Sequence, residues 1–306
     1  MAGYFSQRLV QSLITALMTS VFIFALLHLA PGDPIAALTT PGMNAEDRDL
    51  LARQYGFDQP VATQYVRWLG NTLQGDLGKS IRTREPVTEL LGKRFWNTFQ
   101  VAVLAALINL ILGVGIGVLA AVRHRTLTDK GCMLFATLGL AVPAFWSAVL
   151  LALIFAAWLR WLPANGAGTW RHLVLPSLAL GIATASLTAR MTRSAMLDVL
   201  GAAYITAARG RGLSPRSVTL HHALRNALIP VLTAAGQVLG MLIAGAVVTE
   251  TVFNYPGMGY TLVRAITERD YPVIQGVLLI VSFSYLAINL LIDTLYVAVD
   301  PRIRLT

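Results

Sequence analysis

Residues 190–229 read RMTRSAMLDVLGAAYITAARGRGLSPRSVTLHHALRNALI. Six arginines (Arg190, Arg193, Arg209, Arg211, Arg216 and Arg225) stand there against one acid, Asp198. Apolar runs long enough to cross a bilayer flank the stretch, so it reads as a charged loop between two membrane spans. Within it, Ala202, Ala203, Ala207 and Ala208 favour helix and carry little bulk, which lets a second backbone surface approach closely. Gly210 and Gly212 break that helix, because glycine readily takes positive φ. Ser214 is a candidate N-cap and Pro215 a first helical residue. A new short helix then runs through Val218, His221, His222, Leu224 and Arg225 to about Leu228. Helix, glycine elbow, helix is a shape suited to insertion into a cleft. On composition alone, an amphipathic pair resting on the inner leaflet through its arginines fits equally well.

The rest of the chain supports the membrane reading. Of its 306 residues, 56% are hydrophobic and 13% charged, whereas soluble domains carry about 25% charged residues. The net charge of +9 comes from arginines in short loops beside apolar spans, which suits anionic lipid headgroups and leaves no call for nucleic acid. Cys132 is the single cysteine, so no disulfide within the chain and no thiol metal cluster can form.

A spanning helix needs about 20 apolar residues. Six stretches meet this, at about 9–30, 99–122, 132–159, 173–189, 230–249 and 273–299. The fourth is the weakest, being short and rich in Ser, Thr and Gly. The first is read as a retained helix rather than a signal peptide, because its apolar core is long and no small-x-small cleavage site precedes Pro31. Arg8, the Arg123–Lys130 loop, the arginine-rich loop and Arg302 with Arg304 all fall on one face, which the positive-inside bias makes cytoplasmic. The expectation is an all-α membrane protein of six transmembrane helices, a single domain over 1–306, with both termini in the cytoplasm.

Residues 31–98 form an extracytoplasmic segment with eight basic and eight acidic residues. Asn44 can cap a helix beginning at Ala45, and Pro60 suits a first helical position. Val61, Tyr65, Trp68, Leu69, Thr72 and Leu73 then recur at helical spacing, as do Val87, Leu90, Leu91 and Phe95. These read as short amphipathic helices on the membrane surface, compatible with a platform for an extracytoplasmic partner.

Ionisable groups in or beside spans are functional candidates. Here they are Glu250 and Asp293, with Asn289 four residues before Asp293 on the same helix face. They can line a polar pathway or bond to neighbouring helices. Tyr255-Pro256-Gly257-Met258-Gly259-Tyr260 reads as a turn and short helix, or as a gate. There is no Gly-x-x-x-x-Gly-Lys-Ser/Thr phosphate loop and no His-Glu-x-x-His motif, so ATP hydrolysis, zinc chemistry and a metal site are not expected of this chain.

The loop's Thr206-Ala207-Ala208, three residues, Gly212 resembles the coupling ("EAA") loop of ABC-importer permeases. Further segments match in order along the chain: His28–Pro34, Gly75–Ser80, Arg190–Ser194, His222–Pro230, Glu250–Gly259, Arg269–Val273 and Asp300–Arg304. Together they resemble the permease subunits of the peptide/nickel group of ABC importers, which serve dipeptide, oligopeptide, glutathione and nickel systems, with a type I importer fold. Thr206 departs from the family's Glu at that position.

The resemblance implies that the loop docks in a groove of a nucleotide-binding subunit. Ala207 and Ala208 would allow close packing and Gly212 would form the elbow. Arg209, Arg211, His221 and Arg225 would offer polar contacts. It also implies alternating access, a second permease subunit, two ATPase subunits holding ATP and Mg, and an extracytoplasmic solute-binding protein in a bacterial inner membrane. The solute is then a small peptide or related compound, with glutathione or a nickel chelate as variants. An ion-coupled secondary transporter is the alternative of another class.

Overall fold

The computed structural model describes residues 2–29, 44 and 58–299. Its helices are α1 (Ala2–Leu29), α2 (Val61–Leu73), α3 (Val87–Val122), α4 (Leu127–Ala141), α5 (Ala144–Trp158), α6 (Arg171–Leu200), α7 (Ala203–Gly210), α8 (Pro215–Ser217), α9 (Arg225–Val252), α10 (Met258–Glu268) and α11 (Tyr271–Val299). Two wider π-helical turns occur, at the end of α5 (Ala152–Trp158) and between α8 and α9 (Val218–Leu224). Among the described residues, strand pairing is confined to one bridge, Lys79 with Pro86.

Among the described residues, four helices are long and apolar enough to cross a membrane, and two bent pairs bring the number to six if each pair crosses once. The sequence expectation of six spans thus stands with three adjustments. Val87, Leu90, Leu91 and Phe95 belong to no separate surface helix. They form the first turns of α3, which runs unbroken for 36 residues. The third span is not straight: α4 and α5 meet at 102°. Pro143 is the cause. Its ring pushes Val142 into extended backbone (φ −79°, ψ 123°), which ends α4 and restarts the helix at Ala144. The helix expected to stop near Leu228 instead continues through the π-helical turn into α9, bending by 48° about Pro230. Pro60 sits one place earlier than expected, as the N-cap of α2. The expected helix after Asn44, the 30–34 end of the first motif and Asp300–Arg304 lie outside the described residues.

The described chain divides into two compact units. One comprises Met1–Asn97 and Pro256–Leu286. In it, Tyr65 and Trp68 of α2 pack on Phe24 of α1 with ring centroids 5.4 and 5.6 Å apart, and the Tyr65 hydroxyl meets Ser20 Oγ at 2.9 Å. Val87, Leu91, Met258, Ala265, Val273 and Val277 form its apolar centre.

The other unit comprises Thr98–Tyr255 and Ala287–Thr306. Its centre is α6, the span that composition ranks weakest. It is the most enclosed of the four straight spans, with 56% of its apolar window buried. Its small and hydroxyl side chains are the reason, since they admit neighbouring backbones. A Cβ added to Gly113 would lie 2.6 Å from Thr188 Cβ, and one on Gly117 2.5 Å from Thr192 Cβ and 2.6 Å from the Ala189 carbonyl. Gly181 of α6 faces Ile108 and the Ala105 carbonyl in the same way. Thr188 Oγ1 donates to Asn109 Oδ1 at 2.8 Å across this seam.

The contact is with backbone as well as side chain, so it cannot relax by rotamer change. Gly117→Val is expected to abolish recovery of folded chain from membranes, whereas Gly115→Val, where an added Cβ meets nothing within 4 Å, is expected to leave it intact. Equal recovery of both, read by size-exclusion chromatography, would contradict the packing described.

Candidate functional site

The arginine-rich loop folds as a short helix, a glycine elbow and a second helix start, all within the second unit. Ala202 is extended (φ −73°, ψ 147°) and opens α7. Ile205 and Ala208 are buried and pack with Met196, Val218, Ala223 and Ala227. Ala203, Thr206, Ala207 and Gly210, at i, i+3, i+4 and i+7, are exposed together, giving one smooth stripe of small residues. Arg209, Arg211, His221 and Arg225 are also exposed.

The helix ends in paired carbonyl–amide bonds. Leu213 N donates to the Ala208 carbonyl at 3.4 Å, and Gly212 N to the Arg209 carbonyl at 2.9 Å. This is the Schellman arrangement, which requires left-handed backbone at the penultimate donor. Gly212 supplies it with φ +78°. Ser214 Oγ then accepts from Ser217 N at 3.3 Å, with Pro215 following as first helical residue. The elbow and restart are therefore where the sequence places them. Ala208 differs in role: it faces its own chain, so Ala207 is the alanine of that pair open to a partner.

Two fastenings hold the elbow, and sequence reading identifies neither. Asn226 Nδ2 donates to Tyr204 Oη at 2.8 Å and to the His222 carbonyl at 3.0 Å, tying α7 to the base of α9. Near the end of α6, Arg193 Nε and Nη2 donate to both oxygens of Asp129 at 2.7 and 2.8 Å. Arg125 N donates to the same carboxylate at 3.0 Å, and His124 Nδ1 lies 3.3 Å away. The Asp129 side chain is 6% exposed and that of Arg193 24%. Arg193 belongs to a quoted motif, but its acid lies 64 residues away, beyond any local signal.

The proposed pathway residues fall in different places. Glu250 is fully enclosed and accepts from Thr98 Oγ1 at 2.5 Å. Tyr255, also buried, donates its amide to the Glu250 carbonyl at 2.8 Å. Burial, reinforced by the Glu250 charge, pushes the Tyr255 hydroxyl up to about 12, so it stays protonated throughout the physiological range. These groups brace the end of α9 in this conformation. Gly257 belongs to the first unit, where it is the N-cap of α10, and Thr261 Oγ1 donates to its carbonyl at 2.7 Å. The preceding Pro256 carbonyl accepts from Asn97 Nδ2 at 2.8 Å and from Arg94 Nη1 at 3.3 Å. Asn289 is half-buried on α11; the Asp293 side chain lies outside the described residues.

The first unit also joins two of the quoted motifs. Ser80 Oγ bonds the buried Asp270 carboxylate, which further accepts from Ile81 N at 3.1 Å and Arg82 N at 3.4 Å. Among the described residues, no three His, Cys, Asp or Glu side chains converge as a metal site.

Known proteins resemble this chain over nearly its whole length. The family model described as "Binding-protein-dependent transport system inner membrane component" matches residues 113–305, and the companion N-terminal model matches residues 1–102. The glutathione transport system permease protein GsiC of Salmonella paratyphi A is 42% identical over 304 residues, covering 99% of each chain. That of Escherichia coli K12 is 40% identical with the same coverage. Among solved structures, the inward-facing MetNI methionine ABC transporter aligns with a TM-score of 0.62 at 20% identity, covering 71% of this chain and 99% of that one. At that identity the likeness is one of fold.

Two substitutions probe the elbow and its root. Gly212→Ala puts an L side chain at φ +78° with open space around its Cβ, costing about 1 kcal/mol. Gly212→Pro removes the amide bonded to Arg209 and forbids the turn. Transport is expected to be slightly reduced in the first and lost in the second, with the second still recovered from the membrane; full transport by Gly212→Pro would contradict the elbow's role. Arg193→Ala strands a buried carboxylate, an effect of about 3 kcal/mol at full burial and smaller here because Arg193 is partly exposed. It is expected to lower the thermal midpoint well below that of Arg216→Ala, which removes an exposed charge.

Proposed function

The chain belongs to the binding-protein-dependent transport inner-membrane components, the permease subunits of ABC importers, and from that premise we propose how it works and what it carries. The elbow of residues 203–217 is the surface that separate ATPase subunits grip. The observation that carries this is the exposed stripe Ala203, Thr206, Ala207 and Gly210, smooth on the outside and anchored on the inside by Ile205 and Ala208. A partner groove can close over such a stripe. Arg209, Arg211, His221 and Arg225 surround it with donors. Thr206 replaces an acid there, so the contact depends on shape and on arginine more than on a carboxylate.

ATP and Mg are held by the ATPase subunits, a second permease completes the pathway, and an extracytoplasmic binding protein delivers solute. The elbow faces the cytoplasm, as do both termini. The solute is a small peptide of the glutathione kind, a reading that rests on glutathione transport permeases 40–42% identical over 99% of this chain. Nickel chelates and ordinary dipeptides are the variants within the same family.

The test is uptake by proteoliposomes holding the co-purified complex and its binding protein. Labelled glutathione is expected to accumulate only with ATP inside, in competition with its analogues and unaffected by ionophores. Accumulation of a nickel chelate or dipeptide but no glutathione would overturn the solute. Uptake that ignores ATP and collapses with the ion gradient would overturn the mechanism.

A further inference from the structure

The connection between α5 and α6 carries a site of its own. Residues 158–172 read WLRWLPANGAGTWRH, with three tryptophans, two arginines and no acid. No Asp or Glu occurs between Asp129 and Asp198. The stretch lies at the opposite end of α6 from the elbow, about 45 Å away at about 1.5 Å per residue. Arginines concentrate in the loops at the elbow end, so two uncompensated arginines at the other end run against the usual bias. By contrast, Arg264 of the 256–270 segment is paired with Glu268 at 2.8 Å.

The loop is fixed in place. Gly166 N donates to the Phe253 carbonyl at 3.0 Å, and Asn254 Nδ2 to Asn165 Oδ1 at 3.2 Å. Trp161 stacks obliquely on Phe155 with centroids 6.0 Å apart, and its amide donates to the Phe155 carbonyl at 2.9 Å. Arg160 is held at φ +54°. Together these shape an open cavity of about 570 Å³ lined by Arg160, Trp161, Pro163, Trp170, Arg171 and His172, among others. Arg171 lies over the Trp170 ring, 5.8 Å from its centre. No carboxylate among the described residues pairs with Arg160 or Arg171. Trp158, Trp161 and Trp170 are 72, 64 and 69% exposed.

We infer that this cavity binds the phosphate of an anionic phospholipid at the membrane face opposite the elbow. A turn between two spans sits at headgroup depth, where tryptophan rings partition. Arginine presents a planar fork to phosphate oxygens. Leu162, Pro163 and the indoles offer the glycerol and upper acyl carbons an apolar wall. The inference depends on the membrane-spanning fold and is independent of the solute and of the elbow's role.

The experiment is native mass spectrometry of the intact complex, released from nanodiscs containing equal phosphatidylglycerol and phosphatidylethanolamine. The wild-type complex is expected to retain phosphatidylglycerol preferentially. Arg160→Gln and Arg171→Gln should each lower that retention about fivefold, the size expected of one basic side chain near an anionic surface. Arg160→Lys with Arg171→Lys should keep most of it and shows that the loop still folds. Arg264→Gln, the same charge change elsewhere, should leave it unchanged. Equal retention of both lipids, or unchanged retention in the double Gln variant, would overturn the proposal. Displacement by inorganic phosphate alone would make a free anion the occupant and overturn the lipid assignment. If the double Gln variant kept its lipid but lost the extracytoplasmic binding protein, the arginines would serve an acidic protein surface instead.

Discussion

The close approach of α3 to α6 is the constraint on which the second unit depends. In lipid, helices gain little from burying apolar side chains against one another, because acyl chains are as apolar as leucine. Association has to come from tight packing, and Gly113, Gly117 and Gly181 bring the two backbones together with no room for a Cβ. That seam explains why the face of α6 toward α3 carries Ser177, Gly181, Ala185, Thr188, Ala189 and Thr192, all buried, while Ser186 meets Gly139 of α4 in the same close manner. It also fixes the end of α6 from which the elbow projects.

From that fixed end, a chain of local devices holds the elbow in one shape. The Arg193–Asp129 pair clamps the last turns of α6 to the start of α4. Ile205 and Ala208 key α7 into Met196, Val218, Ala223 and Ala227. Gly212 turns the chain, Ser214 caps its restart, and Asn226 ties the two sides through Tyr204. The exposed stripe is therefore joined to α6 and α9 by packed side chains and backbone rather than by a slack loop. Arg193 and Asn226 act as positioning residues in this arrangement.

What the sequence revealed and what it hid divide along a physical line. Features set by a residue and its immediate neighbours were legible: the positive φ at Gly212, the Ser214 cap, the Pro215 start, and the apolar spans themselves. Features set by distant partners were not. Nothing local in Asp129 announces Arg193, and nothing in Ser80 announces Asp270. Composition rightly ranks α6 the least apolar of the straight spans, but it does not show that the small polar residues which lower its hydropathy also make it the most closely packed. It also passed over Pro143, since a proline within a long apolar run leaves the hydropathy high while the backbone turns. Ala208 shows the limit of a motif: the alanine pair was legible, but which alanine faces outward required the helical phase. Glu250 carried a pathway signal by residue type, yet Thr98 and Tyr255 enclose it here.

The most direct measurement is cross-linking from the elbow in the intact complex. Cys132, the single native cysteine, is first replaced by serine. Single cysteines are then placed at Thr206 and Ala207 on the exposed stripe and at Ile205 on the buried side, each opposite cysteines in the ATPase groove. Thr206→Cys and Ala207→Cys are expected to form disulfides with the ATPase subunit at yields that change with bound nucleotide, while Ile205→Cys remains unlinked. No cross-link from the exposed positions, or the same yield from Ile205→Cys, would contradict the elbow as the point where ATP hydrolysis reaches the membrane helices.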